Sequence, residues 1–133
     1  MSKKPSLADR LAKAVEGLVL PSERDEPFTV VEFPGAELPS DVRGFRKLVG
    51  VDAKTPVGDF HPAEMLAALG KGQPSDGAGV TKMRTKFRKV ADLLDAEFVA
   101  LRGFKVGKLN VETYILGATA DGVIGLKAGG VET

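Results

Sequence analysis

The chain has 133 residues, of which 43% are hydrophobic and 28% charged, and its formal net charge at pH 7 is +1. These values fit one soluble globular domain large enough for a core without covalent staples, and the near-neutral balance exerts no overall pull towards nucleic acid or an anionic membrane. The lack of cysteine excludes a disulfide framework, thiol catalysis and a zinc-thiolate site, and it fits a reducing compartment.

The N-terminus Met1-Ser2-Lys3-Lys4-Pro5 is basic but leads into a charged amphipathic segment, not into the apolar run of a signal peptide. No stretch approaches transmembrane length, so a cytoplasmic protein is expected. Ser6 reads as an N-cap paired with Asp9, and Leu7, Leu11, Ala14, Val15 and Leu18 recur at helical spacing until Gly17 supplies a stop. A turn bracketed by Pro21 and Pro27 follows, so dense in acid at Glu23, Asp25 and Glu26 that it is expected at the surface. It is either a solvated connector or a stiff loop that presents a carboxylate, Glu23, to another molecule. Residues 28–33 then read as a strand closed by Pro34-Gly35, and the adjacent Val30 and Val31 point to cover on both of its faces.

Ser40 is expected to cap a second helix, with Val42, Phe45 and Val49 one turn apart and Gly50 at its end, although Gly44 disfavours its middle. A third helix starts at Pro62 and runs through Met65, Leu66 and Leu69. The stretch 70–79, Gly-Lys-Gly-Gln-Pro-Ser-Asp-Gly-Ala-Gly, reads as a flexible loop of the kind that carries binding. Val80, Met83, Phe87, Val90, Leu94, Phe98 and Leu101 alternate spacings of three and four, which predicts a long core helix ended by Arg102-Gly103. Its opposite face carries Lys82, Arg84, Lys86, Arg88 and Lys89. Strands are expected over 104–106, 109–116 and 123–126, the last two joined by a hairpin turn at Asp121-Gly122, and residues 1–5 and 129–133 are expected to be mobile. The order α, β, α, α, α, β, β, β predicts a single α+β domain over 1–133, its helices packed on a mainly antiparallel sheet.

Catalysis finds little to stand on. His61 is the only histidine, so no histidine metal site forms, and no serine sits in a nucleophile-elbow pattern. Placed before Pro62, His61 reads as a capping or surface residue. The loop 70–79 lacks the G-x-x-x-x-G-K-[ST] order of a phosphate loop. The basic run 82–89 has the charge to neutralise phosphates, but Asp92, Asp95 and Glu97 follow on the same helix and no exposed aromatic residues are interleaved for base stacking. It reads as a solvated face. The chain is therefore read as a binder, not an enzyme, and direct nucleic-acid or membrane binding is not expected.

Four stretches carry a resemblance: Gly-Leu-Val-Leu-Pro-Ser-Glu-Arg-Asp-Glu-Pro-Phe-Thr-Val over 17–30, Lys86-Phe87-Arg88-Lys89, residues 107–117 with Val-Glu-Thr-Tyr-Ile-Leu-Gly, and the ending Val131-Glu132-Thr133. In that order, over nearly the whole chain, they resemble the nuclease A inhibitor family. The resemblance implies an α/β/α sandwich similar to that of the pathogenesis-related-1 proteins. It also implies a protein that plugs the active site of a sugar-nonspecific, metal-dependent DNA/RNA endonuclease. The positions that enter the nuclease site in that family fall here on Glu23 and Thr133, the threonine reaching the nuclease's divalent metal. Asp25, Asp76 and Glu132 are the further acids expected to face the partner. A hydroxyl and a terminal carboxylate are hard oxygen ligands that Mg²⁺ accepts, and a carboxylate stands in for a phosphate among basic side chains. No cofactor of the chain's own is implied. Where the family pattern has an acidic loop bearing an Asp-Trp pair, this chain has the glycine-rich 70–79, with Asp76 its only acid, and no tryptophan anywhere. The alternative is a non-inhibitory member of the same fold that acts as a protein- or nucleic-acid-binding module.

Overall fold

The stretch 112–128 builds the middle of the protein. In the computed structural model, which describes residues 7–16, 19–20, 26–70, 77–98, 100–107, 111–119 and 122–129, it forms strands β5 (Glu112–Thr119) and β6 (Gly122–Ala128). They pair antiparallel from Thr113↔Ala128 to Thr119↔Gly122, so only residues 120 and 121 separate the hairpin's arms. Gly122 has φ +142, and a Cβ there would stand 2.5 Å from the Phe33 carbonyl oxygen, so glycine serves both the backbone and the space. Both strands are buried on consecutive residues, 113–117 and 123–126, which means that both sheet faces are covered.

The rest of the sheet grows outward from this hairpin. In chain order the elements before it are α1 (Leu7–Ala14), β1 (Val19–Leu20), β2 (Glu26–Pro34), α2 (Val42–Val49), β3 (Val57–Phe60), α3 (Pro62–Gly70), α4 (Ala78–Glu97) and β4 (Leu101–Val106). The strand order is β1-β2-β6-β5-β4-β3, and every neighbouring pair is antiparallel. One face carries α1, α3 and α4, whose Leu11, Leu66, Phe87, Val90 and Leu94, with Val15 just after α1, cluster with Phe28, Ile115, Ile124 and Leu126 of the sheet. The other face carries α2, where Phe45 stacks on Phe104 at 4.3 Å between ring centroids and meets Tyr114 edge-on at 5.1 Å. Val30 packs towards the first cluster and Val31 towards the second, as their adjacency predicts. Helices on both faces of an antiparallel sheet make this an α+β fold in three layers.

Several expectations need correction. The N-cap of α2 is Asp41, not Ser40: the Asp41 carboxylate accepts the Gly44 N–H at 2.8 Å. Gly50 ends α2 with φ 73, as expected. α4 starts at Ala78, so Gly79 is helical, and it stops at Glu97, with Phe98 extended at φ −123. Leu101 therefore opens β4, and Arg102 and Gly103 lie within a strand instead of ending a helix. The apolar spacing runs across this boundary because Phe98 and Leu101 face the same cluster as the helix does. Phe98 lies over Gly117, where any Cβ would overlap its ring. The sequence pattern does not announce strands β1 and β3, since one is two residues long and the other, Val-Gly-Asp-Phe, shows no alternation. The expected cap at Ser6 and stop at Gly17 lie outside the described residues.

The middle of the sheet supplies a test. A Cβ built at Gly125 would overlap the Ile115 carbonyl oxygen and stand 2.9 Å from Leu116 Cα, both backbone atoms of the neighbouring strand that no rotamer change moves. At Gly58, on the edge strand β3, nothing lies within 4 Å of such a Cβ. Gly125→Ala should therefore cost about 1–3 kcal/mol of stability, the range for overpacking, whereas Gly58→Ala should stay within about 0.5 kcal/mol of the parent. Urea-denaturation midpoints of the two variants measure the contrast, and equal midpoints would contradict the close approach of β5 and β6.

Candidate functional site

Antiparallel registers sort the strand termini into two ends of the sheet. Leu20 and Glu26, Phe28 and Ala128, Thr113 and Ala128, Val106 and Glu112, and Val57 and Val106 are paired at one end. Pro34, Gly122, Thr119, Leu101, Gly117, Phe60 and Gly103 mark the other. α1 begins at this second end, where Leu7 and Ala8 line a hollow of about 230 Å³ with Pro34, Thr119 and Gly122. It then runs towards the first. α4 is antiparallel to α1, because the Arg10 guanidinium donates to the Glu97 carboxylate while the Lys86 ammonium donates to the Glu16 carbonyl at 2.9 Å. The first turns of α4, after Gly77, accordingly lie on the side of the first end.

The residues singled out by sequence, Glu23, Asp25, Asp76, Glu132 and Thr133, all lie outside the described residues. Their brackets do not. Leu20 and Glu26 flank 21–25, Gly70 and Gly77 flank 71–76, and Gly129 precedes 130–133. Leu20, Glu26 and Gly129 belong to the first end of the sheet, and Gly77 begins α4 on that side.

A polar cluster that the sequence reading did not single out stands at this end, on the α2 face. Tyr114 and Lys127 are cross-strand partners, and Glu112 lies on the same face two residues from Tyr114. The Tyr114 hydroxyl donates to Glu112 Oε2 at 2.7 Å, the Lys127 ammonium is 3.3 Å from the same oxygen, and it lies 5.7 Å from the centre of the Tyr114 ring. Burial, then the hydrogen bond to Glu112 and its negative charge, push the Tyr114 phenol well above its ordinary range. The hydroxyl donates within β5, and it is the Lys127–Glu112 ion pair that ties β5 to β6. The Glu-Thr-Tyr spacing of 112–114 was visible in the chain, but the register that brings Lys127 opposite was not.

The other candidates behave as follows. Lys82, Lys86, Arg88 and Lys89 are exposed and Arg84 is half-buried. Lys86 is engaged with α1, and Arg88 lays its stem across Gly70 and donates to Thr85 Oγ1 at 3.3 Å. His61 is exposed, and its carbonyl accepts the Met65 N–H at 3.2 Å in the first turn of α3. With Ser40, Asp59 and Arg102 it lines a hollow of about 130 Å³ at the second end. Among the described residues no group of three or more His, Cys, Asp or Glu is placed to hold a metal ion, and no helix is long and apolar enough to cross a membrane.

The architecture is thus that of a small α+β domain in which Leu20, Glu26 and Ala128, the described strand residues nearest 21–25 and 130–133, share one end of an antiparallel sheet. The family described as nuclease A inhibitor-like protein matches residues 5–133, and the chain belongs to that family. No curated protein matches the chain.

Tyr114 gives a direct check of the polar cluster, because the chain has one tyrosine and no tryptophan and phenolate absorbance reports that residue alone. In the folded protein the phenolate should not form near the usual value of about 10 but only at higher pH, and Glu112→Gln should bring the transition down by removing the negative charge. Above about pH 10 the unfolded chain releases this proton and the folded one keeps it, so stability should be fully present below that pH and fall as pH rises beyond it. A folded-state titration at the ordinary tyrosine value would show the Tyr114–Glu112 contact to be absent.

Proposed function

We propose that this protein inhibits a sugar-nonspecific, metal-dependent nuclease by occupying its active site, and that it performs no catalysis of its own. In this reading Glu23 meets the nuclease's basic groups with Asp25 and Asp76 nearby, and Glu132 and Thr133 enter with the C-terminal carboxylate, Thr133 approaching the nuclease's Mg²⁺. The oxygen chemistry suits a hard cation, and the carboxylate takes the place of a substrate phosphate. The family's likeness to the pathogenesis-related-1 sandwich, and a cytoplasmic location, belong to the same reading.

The observation that carries it is the shared end of the sheet within a family of nuclease inhibitor-like proteins. Ala128 pairs with Phe28, two residues from Glu26, so the chain departs from neighbouring points into 21–25 and into 130–133. Four residues reach at most about 14 Å, and from such closely spaced origins two short segments can converge on one cleft.

The test is inhibition of a sugar-nonspecific nuclease by the parent, by Glu23→Ala, by a form lacking Glu132 and Thr133, and by a form extended beyond Thr133. Loss of a desolvated charged contact costs on the order of 2–5 kcal/mol in the complex, whereas these surface changes should alter folding stability by no more than about 0.5 kcal/mol. Each altered form should therefore inhibit more than about tenfold more weakly than the parent, since about 1.4 kcal/mol is a factor of ten. Equal inhibition by all four forms, or none by the parent, would refute the plug.

The exposed lysines of α4 favour one competing reading, a nucleic-acid-binding module. Because Lys86 already ties α4 to α1, direct DNA or RNA binding should be weak and fall steeply with salt. Tight binding at physiological salt that charge reversal of Lys82 and Lys89 abolishes would favour the module over the inhibitor.

A further inference from the structure

Asp59 and Arg102 are opposite charges that stand close together and do not meet. Asp59 pairs with Phe104 across β3 and β4, and Arg102 lies two residues from Phe104 on the same strand. Val57 and Phe104 belong to the α2-side cluster, so strand alternation puts Asp59 and Arg102 on that face as well. They are diagonal neighbours, about 7–8 Å apart and within reach of an arginine side chain. Yet neither side chain has an ion-pair or hydrogen-bond partner among the described residues. Both instead line the hollow of about 130 Å³ at the second end of the sheet, together with Ser40 and His61. These four residues make an exposed polar rim, whereas the floor, at Pro62, Gly103 and Phe104, is buried. The floor is held from below by the stack of Phe104 on Phe45. Ser40 directly precedes the N-cap of α2 and His61 directly precedes α3, so both stand on fixed helix starts.

We propose that this hollow binds a small zwitterion, a free α-amino acid with a short side chain, its carboxylate on Arg102 and its ammonium on Asp59. The guanidinium fork matches a carboxylate with two parallel hydrogen bonds, and the Asp59 carboxylate accepts from an ammonium. Ser40 and His61 add hydrogen-bonding groups beside the two charges. A ligand of single charge fits worse, because an anion on Arg102 also faces Asp59 and a cation on Asp59 also faces Arg102. A molecule that carries both charges satisfies both ends of the slot. The space is that of about four waters in the liquid, which suits an amino acid and shuts out a nucleotide. This end of the sheet is the one away from the brackets of 21–25 and 130–133, so the proposal does not rest on the inhibitor reading.

His61 makes the test direct, since the chain has one histidine and its imidazole proton resonances report on the rim of the hollow alone. The experiment titrates the full chain at constant pH with glycine, L-alanine, acetate and methylammonium in turn, following those resonances. Exposed charges contribute little each, so glycine and alanine should move the signals saturably with a Kd on the order of 1 mM. Acetate and methylammonium should each bind at least about fivefold more weakly, and Asp59→Asn and Arg102→Gln should each weaken glycine binding by the same factor. Both substitutions are at exposed positions, and urea midpoints measured alongside should stay within about 0.5 kcal/mol of the parent. Acetate binding as tightly as glycine would make the hollow a plain anion site and overturn the proposal, and methylammonium binding as tightly would overturn it in favour of a cation site. Glycine and alanine that leave the His61 signals unmoved well above that concentration, or that bind both variants as they bind the parent, overturn it outright.

Discussion

The close approach of β5 and β6 at Gly125 is the constraint on which the remainder of the structure depends. The backbone of one strand lies where a side chain of the other would start, and around this point both strands are buried on consecutive residues. A sheet covered on both faces must be built from residues that are apolar in succession, as Tyr114, Ile115 and Leu116 and Val123 and Ile124 are. The two clusters divide between those neighbours: Ile115 and Ile124 belong to the α4 side, Tyr114, Leu116 and Val123 to the α2 side. Glycines at 117 and 103 continue the same logic nearer the β3 edge, where the rings of Phe98 and Phe60 lie directly on the backbone.

An all-antiparallel sheet returns each strand to the end where its predecessor began, so connections collect at two ends of the molecule. The second end is occupied by the start of α1 and by the short β5–β6 connection. The first receives the brackets of the acidic turn and of the C-terminus side by side. Binding groups carried on connections above a rigid support lose less entropy on association than groups on a mobile support.

The polar ties on this frame are local and modest. Arg10 and Glu97 hold the ends of α1 and α4 in register, but both are substantially exposed, and such pairs orient elements more than they stabilise them. Arg46 does more with its charge: it donates to the carbonyls of Asp52 at 2.7 Å and Thr55 at 2.6 Å, satisfying backbone groups of the connection between α2 and β3. Glu112, Tyr114 and Lys127 tie the end of the β5–β6 pair next to the point where the C-terminal segment departs.

By itself the sequence determined the α+β class, the helices around Phe45, Leu66 and Phe87, the two central strands and the inhibitor family. Each rests on short-range information: apolar spacing, a proline at the first helical position, a glycine at φ 73 ending α2, and ordered family stretches. What the tertiary structure decided is where periodicity changes meaning. Phe98 and Leu101 continue the helical spacing, yet the chain turns extended at Phe98, whose ring lies on Gly117, a residue 19 positions later. β1 and β3 exist only because neighbours supply their hydrogen bonds, since neither has enough residues to declare itself. The demand for glycine at 125 and 129 is likewise invisible locally, because the atoms that forbid a side chain, Ile115 and Val111 carbonyl oxygens, come from another strand. Register is a property of pairs, and a single chain read in order carries only half of each pair.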